Sequence, residues 1–194
     1  MPMTDVARVL FGREEIRRRV QELGRTIAGE YVGREPILIS VLKGGTVFLA
    51  DLIRAIPLPL EVHLMAISPY GGAAESMGRV RILLDVERDL IDRDVLLVED
   101  IVDTGLTSAY LLSMLRARGP ASLELCTLLD RSVRRIAPIR PAYVGFDCPD
   151  SFVVGYGLDF QERYRNLPDI LEVVDTAALE DDPDVLLPHL APVG

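Results

Sequence analysis

The chain reads as an α/β fold: a mostly parallel twisted sheet with helices on both faces and a small accessory lobe. Three observations predict it. Short apolar runs of strand length, such as Val95-Leu96-Leu97-Val98, alternate with longer segments whose apolar residues recur at helical spacing. That alternation is what a parallel sheet with crossover helices produces. One of the runs also passes directly into a tight glycine turn and a helix, which is where open α/β sheets take their ligands.

Each element follows from its own pattern. Residues 14–31 carry Ile16, Val20, Leu23, Ile27 and Tyr31 on one helical face, with Gly33 as the stop. Residues 36–42 are a short buried strand. Lys43-Gly44-Gly45 follows, and 46–56 is a helix closed by Pro57. Residues 61–67 form another strand, and the stretch 68–78 is small and loop-like. Strands are expected at 80–84, 95–98 and 123–129, with a helix at 109–118 ending before Gly119-Pro120. Short strands at 143–146 and 152–154 have no helix between them, so both are assigned to an antiparallel accessory lobe. Residues 1–175 are read as one domain. The acidic, proline-containing 176–194 is read as a tail that docks weakly or stays mobile.

Composition removes several function classes. With 194 residues, 49% hydrophobic and 26% charged, the chain can bury a sizeable core. No apolar stretch is long enough to span a bilayer, and residues 1–11 lack a signal-peptide core, so no membrane role is expected. A net charge of −9 argues against a nucleic-acid partner. The two cysteines, Cys126 and Cys148, form no disulfide framework, which points to the reduced cytoplasm. Two histidines give poor support to zinc sites or Ser-His-Asp triads.

The densest chemistry lies at 95–108. The strand-like run ends in Glu99 and Asp100, a third acid follows at Asp103, and Thr104-Gly105-Leu106-Thr107-Ser108 opens a helix. Backbone N–H groups and hydroxyls at a helix start suit a phosphate. The acids suit ribose hydroxyls, a hard cation such as Mg²⁺, or proton transfer. The turn alone also fits an ordinary strand–turn–helix with Thr and Ser as caps. Three acids within five residues at a strand end call for water, a metal or a ligand. The phosphate loop GxxxxGK[ST] is absent, because no lysine follows Gly105, and no GxGxxG follows any strand-like run. A phosphate cradle beside carboxylates points to a phosphorylated sugar.

This segment resembles the 5-phosphoribosyl 1-diphosphate (PRPP) motif of the type I phosphoribosyltransferases. Asp103-Thr104-Gly105 is similar to the hypoxanthine-guanine branch, whereas adenine and orotate enzymes usually carry Ala or Thr at the Asp103 position. The resemblance runs from about Val9 to Val173, with its motifs in the family's order. It implies that Glu99 and Asp100 serve the ribose or Mg²⁺, that Asp103 to Ser108 hold the 5′-phosphate, and that Asp103 manages a base proton. Leu42, Lys43 and Gly44 would be the pyrophosphate loop, which in the family often holds a non-proline cis peptide. Read from its residues alone, that turn is a common strand-to-helix device. Arg165 matches the family arginine that meets pyrophosphate.

The same resemblance implies a mobile lid containing Ser68 and Tyr70, although Pro69 stands where a small polar residue is expected and a plain loop fits the residues equally. Arg131 stands where the family has a lysine that donates to the exocyclic oxygen of a 6-oxopurine. The residues of that stretch alone fit a solvated charge run. Phe152 would stack on the base and Val153 would pair with its edge through the backbone, while Phe152 by itself also fits a core position. Asp159 would serve Mg²⁺ or the base edge. The implied enzyme is a magnesium-dependent purine-salvage transferase, a homodimer or homotetramer. The alternatives are a PRPP- or nucleotide-binding regulator of the same fold and a xanthine-preferring transferase.

Overall fold

The computed structural model describes residues 6–69 and 80–190. The main sheet has six strands in the order β4-β3-β2-β5-β6-β7: β2 (Ile37–Leu42), β3 (Glu61–Pro69), β4 (Val80–Leu84), β5 (Asp94–Val102), β6 (Ser122–Asp130) and β7 (Tyr143–Asp147). All of its neighbours are parallel except the edge pair β3–β4. A smaller antiparallel sheet orders β1 (Ala7–Phe11), β9 (Ile170–Val173) and β8 (Phe152–Val154).

The apolar strands are buried on both faces, as a parallel sheet between helices requires. Leu38, Leu96, Val98 and Leu128 face α1 (Arg13–Glu30) and α2 (Gly45–Ala55) in one cluster. Ile37, Ile39, Val95, Leu97 and Leu125 point the other way, onto Leu111 and Leu115 of α3 (Leu106–Arg116). The period-2 switch between Leu38 and Ile39 is what sorts the two cores. Helix α1 packs tightly on α2: a Cβ on Gly24 would stand 2.5 Å from the carbonyl oxygen of Ala55.

One expectation needs correction. The strand at 143–146 belongs to the main sheet, parallel to β6, and not to the accessory lobe. The intervening segment, with a 3₁₀ turn at Ser132–Arg134 and no α-helix, is long enough to cross back over the sheet end. The place beside β8 in the antiparallel lobe is taken instead by β9, which pairs with β1 on its other side; the sequence pattern revealed neither strand. Residues 176–190 of the C-terminal segment dock on the small sheet. Helix α4 (Thr176–Asp181) buries Leu179, and Leu186 is buried after it, both against Val6, Val154, Tyr164 and Leu171.

Candidate active site

The C-terminal ends of β2 and β5 form the floor of a cavity of about 360 Å³. Its wall collects Leu42, Lys43, Gly44, Glu99, Asp100, Asp103, Thr104, Gly105, Thr107, Ser108, Asp159 and Arg165, together with Val41, Ile67 and Ile101. Twelve residues singled out from three distant stretches of sequence thus meet in one place. Leu106 begins α3 and is not on the wall.

Each side chain is set by its element. β5 carries, two residues before its end, an acid pair that it cannot hydrate freely. Glu99 is buried, its Oε2 accepting from Ser108 Oγ at 2.9 Å and its Oε1 without a partner among the described residues. Burial pushes this carboxyl up to about 8, with the Asp100 charge adding to the rise and the Ser108 hydrogen bond opposing it. Burial also raises Asp100, against the pull of the Ile101 N–H that its Oδ1 accepts at 2.9 Å. Gly105 turns the chain from β5 into α3 with φ of +77°, a conformation that suits glycine. On the opposite wall the Leu42–Lys43 peptide is cis, as the resemblance implies. Gly44 runs so close to Asp100 that a Cβ there would sit 1.7 Å from Asp100 Oδ2.

A third wall comes from the segment after β8. Arg165 pairs with Asp159 at 2.9 Å and donates to the Gly157 carbonyl at 2.8 Å. Lys43 pairs with Glu162 at 2.8 Å on the exposed rim and holds that carboxyl below its usual range.

Arg131, Phe152 and Val153 stand beyond the wall but are tied to it. Arg131 is buried, not a solvated charge; its Nη1 reaches Asp103 Oδ2 at 3.3 Å and its Nη2 donates to the Ser151 carbonyl at 2.6 Å. Phe152 is half-exposed and meets Phe160 edge-on at 6.1 Å. Val153 is buried, and its strand β8 is the edge of the small sheet, with one backbone side unpaired by any described strand. Ser68 lies in β3, one residue past the wall residue Ile67, while Tyr70 lies outside the described residues. Two further residues were not anticipated. Glu162 engages Lys43, and Arg135 is largely buried behind the 103–105 turn. Sequence spacing carries no signal for either, because both act through contacts across loops.

The comparisons bear on this arrangement directly. Residues 12–161 match the family model described as the phosphoribosyl transferase domain. The chain belongs to that family. Relatives within it include the hypoxanthine-guanine phosphoribosyltransferase of Mycobacterium avium, 52% identical over 84% of this chain and 83% of the relative. The enzyme of the same name from Bacillus subtilis is 47% identical over 84% of this chain and 91% of its own. Among solved structures, a hypoxanthine-guanine phosphoribosyltransferase from Bacillus anthracis superposes with a TM-score of 0.84 at 41% identity, covering 87% of this chain and 99% of that one. The family's doubly covered α/β sheet is therefore the fold of this chain as well. No helix among the described residues is long and apolar enough to cross a membrane.

Proposed function

We infer that the chain transfers the 5-phosphoribosyl group of PRPP to a 6-oxopurine, hypoxanthine or guanine, giving the purine nucleotide and pyrophosphate in purine salvage. The observation that carries this is the convergence of the 42–44 loop, the 99–100 acid pair and the 103–108 turn on one cavity. Two anion-binding stretches on either side of a carboxylate pair fit a sugar phosphorylated at both ends.

In this reading the N–H groups and hydroxyls of 103–108 hold the 5′-phosphate at the start of α3. Glu99 and Asp100 hold the ribose hydroxyls. Leu42, Lys43 and Gly44 with Arg165 cradle the diphosphate. Arg131 meets the exocyclic oxygen of the purine, Phe152 stacks on its face and the Val153 backbone pairs with its edge. Ser68 and Tyr70 belong to a lid over the reaction centre.

The donor set also fits a divalent cation. Glu99 Oε1 is a buried oxygen lacking a partner among the described residues, and Asp100 and Asp159 add hard oxygen donors. Glu99 and Asp100 on the ribose side, and Asp159 on the base side, would supply carboxylates to Mg²⁺, which when bound offsets the charge of the diphosphate. Mg²⁺ sites commonly use one or two carboxylates and complete themselves with substrate phosphates. No group of three or more metal-ligating side chains among the described residues would hold it alone.

Bond breaking at the anomeric carbon develops oxocarbenium character, and the base nitrogen attacks as diphosphate departs. Asp103 takes the proton from N7 of the base. Lys43 and Arg165 stabilise the leaving group. The enzyme would work in the cytoplasm as a homodimer or homotetramer. An apolar strip of Val62, Leu64, Leu83 and Leu84 left exposed on β3 and β4 supports an assembly.

The test is pyrophosphate release from PRPP with each purine in turn, with and without Mg²⁺. Turnover of hypoxanthine or guanine, but not adenine or orotate, is expected. A preference for xanthine would move the base assignment, and PRPP binding without turnover of any base would favour a regulator.

A further inference from the structure

The carbonyl groups of the 102–105 turn are all tied back. Val102 O accepts from the Arg131 N–H at 2.9 Å and from Arg135 Nη2 at 3.4 Å. Asp103 O accepts from Arg135 Nε at 3.1 Å. Thr104 O accepts from the N–H groups of Ile136 at 2.9 Å and Ala137 at 3.0 Å. Gly105 O enters α3, accepting from Ala109 at 2.8 Å. A trans peptide unit is planar, with its N–H opposite its C=O. Holding these carbonyls against 131–137 therefore turns the N–H groups of Asp103, Thr104 and Gly105 the other way, on the stretch that lines the cavity.

Arg135 is the side chain that closes this latch. Its guanidinium also pairs with Asp130 at the end of β6 and donates to Ile139 O at 3.3 Å. Its side chain is 14% exposed, and its Cδ lies 2.9 Å from where a Cβ on Gly105 would stand. It takes no part in the cavity wall. We propose that Arg135 is a positioning residue, which presets the N–H groups of the turn for the terminal phosphate of the donor without touching it. This rests on the reading of 103–108 as the 5′-phosphate turn. Donors fixed in advance need no reorganisation when the anion arrives. Only a planar fork reaches several carbonyls and a carboxylate at once; an ammonium can keep the Asp130 pair but not the rest.

The experiment compares wild type with Arg135→Lys and Arg135→Ala. It reads PRPP affinity by calorimetry without base, KM for each substrate, and amide hydrogen exchange at Ile136 and Ala137 in the free protein. Arg135→Lys should remain folded, with faster exchange at those two amides. Its PRPP binding should weaken about 10- to 100-fold, the scale of a lost charged hydrogen bond, while KM for the base stays near wild type. Added guanidinium should restore part of the PRPP affinity of Arg135→Ala; if that variant does not fold, the lysine variant carries the test. Lowered thermal stability with unchanged PRPP affinity would overturn the proposal, since Arg135 would then be structural only. Unchanged exchange at Ile136 and Ala137 would overturn it as well. Should wild type bind no PRPP while exchange in Arg135→Lys still rises, the latch stands and the reading of the turn as a phosphate site is what fails.

Discussion

At Asp103, one carboxylate oxygen faces the Arg131 guanidinium at 3.3 Å and the other is buried without a partner among the described residues. An acid held this way is oriented and left one acceptor free, which is what a base at N7 requires. Asp103→Asn keeps the size but cannot take a proton. General base catalysis is worth about 10²–10⁴-fold, so kcat should fall by that order with PRPP affinity little changed. An unaltered kcat, with chemistry shown to limit the rate, would remove Asp103 from proton transfer. Arg131 itself bridges Asp103 and the Ser151 carbonyl, next to Phe152. Arg131→Ala should raise KM for the base about 10- to 100-fold and leave KM for PRPP near wild type, because a charged hydrogen bond in a dry pocket is lost. Equal kinetics for mutant and wild type would leave Arg131 without a role in base recognition. The acids, the turn and the 42–44 loop were legible because their chemistry is written in consecutive residues. The burial of Arg131 and Arg135 was not, since a run of arginines looks the same whether it is solvated or folded inward.

Helix α1 begins without a local side-chain cap: Gly12 supplies none. The cap comes instead from the far end of the chain, where Asp169 Oδ1 accepts the Arg13 N–H at 2.7 Å and Oδ2 pairs with the Arg13 guanidinium at 2.9 Å. Asp169→Ala should therefore lower stability by about 0.5–2 kcal/mol, measured by chemical denaturation. The hydrogen bond from Arg13 holds this carboxyl below its usual 3.8. A depressed folded value means the contribution is complete above the ordinary range and is lost as pH falls through the folded value. The gap between wild type and Asp169→Ala should thus be constant near neutrality and close at strongly acid pH; a gap that persists there would contradict the assignment. Elements of this kind also mark what sequence could and could not give. Long amphipathic helices such as α1 and apolar parallel strands such as β5 declare themselves. Strands β1 and β9, of 5 and 4 residues, do not, because each is stabilised by a partner at the opposite end of the chain. The strand at 143–146 was recognised but placed in the wrong sheet, since the absence of a helix before it does not fix its direction.

The two sheets divide the labour of the whole molecule. The six-stranded sheet supplies the acid pair, the 103–108 turn and the 42–44 loop, while the small sheet carries Phe152 and leads into the segment with Asp159 and Arg165. One face of the small sheet, through Val153 and Ile170, joins the main core. The other, through Val154, Leu171 and Val173, is covered by Leu179 and Leu186 from the C-terminal segment, with Tyr164 and Leu167 on either side of Arg165 in the same cluster. Chain composition pointed to an acidic tail because its charges are on the surface; the two leucines that hold it are too few to stand out. If they are structural, Leu179→Ala, which empties a fully buried site, should destabilise the protein by about 2–5 kcal/mol in denaturant titration. Glu180→Ala, one residue along and exposed, should stay within about 0.5 kcal/mol of wild type. The pair of variants separates packing from charge. Equal, small effects of both would mean that the segment from 176 contributes nothing to the fold, and that the small sheet keeps its position, and with it Arg165, through the main core alone.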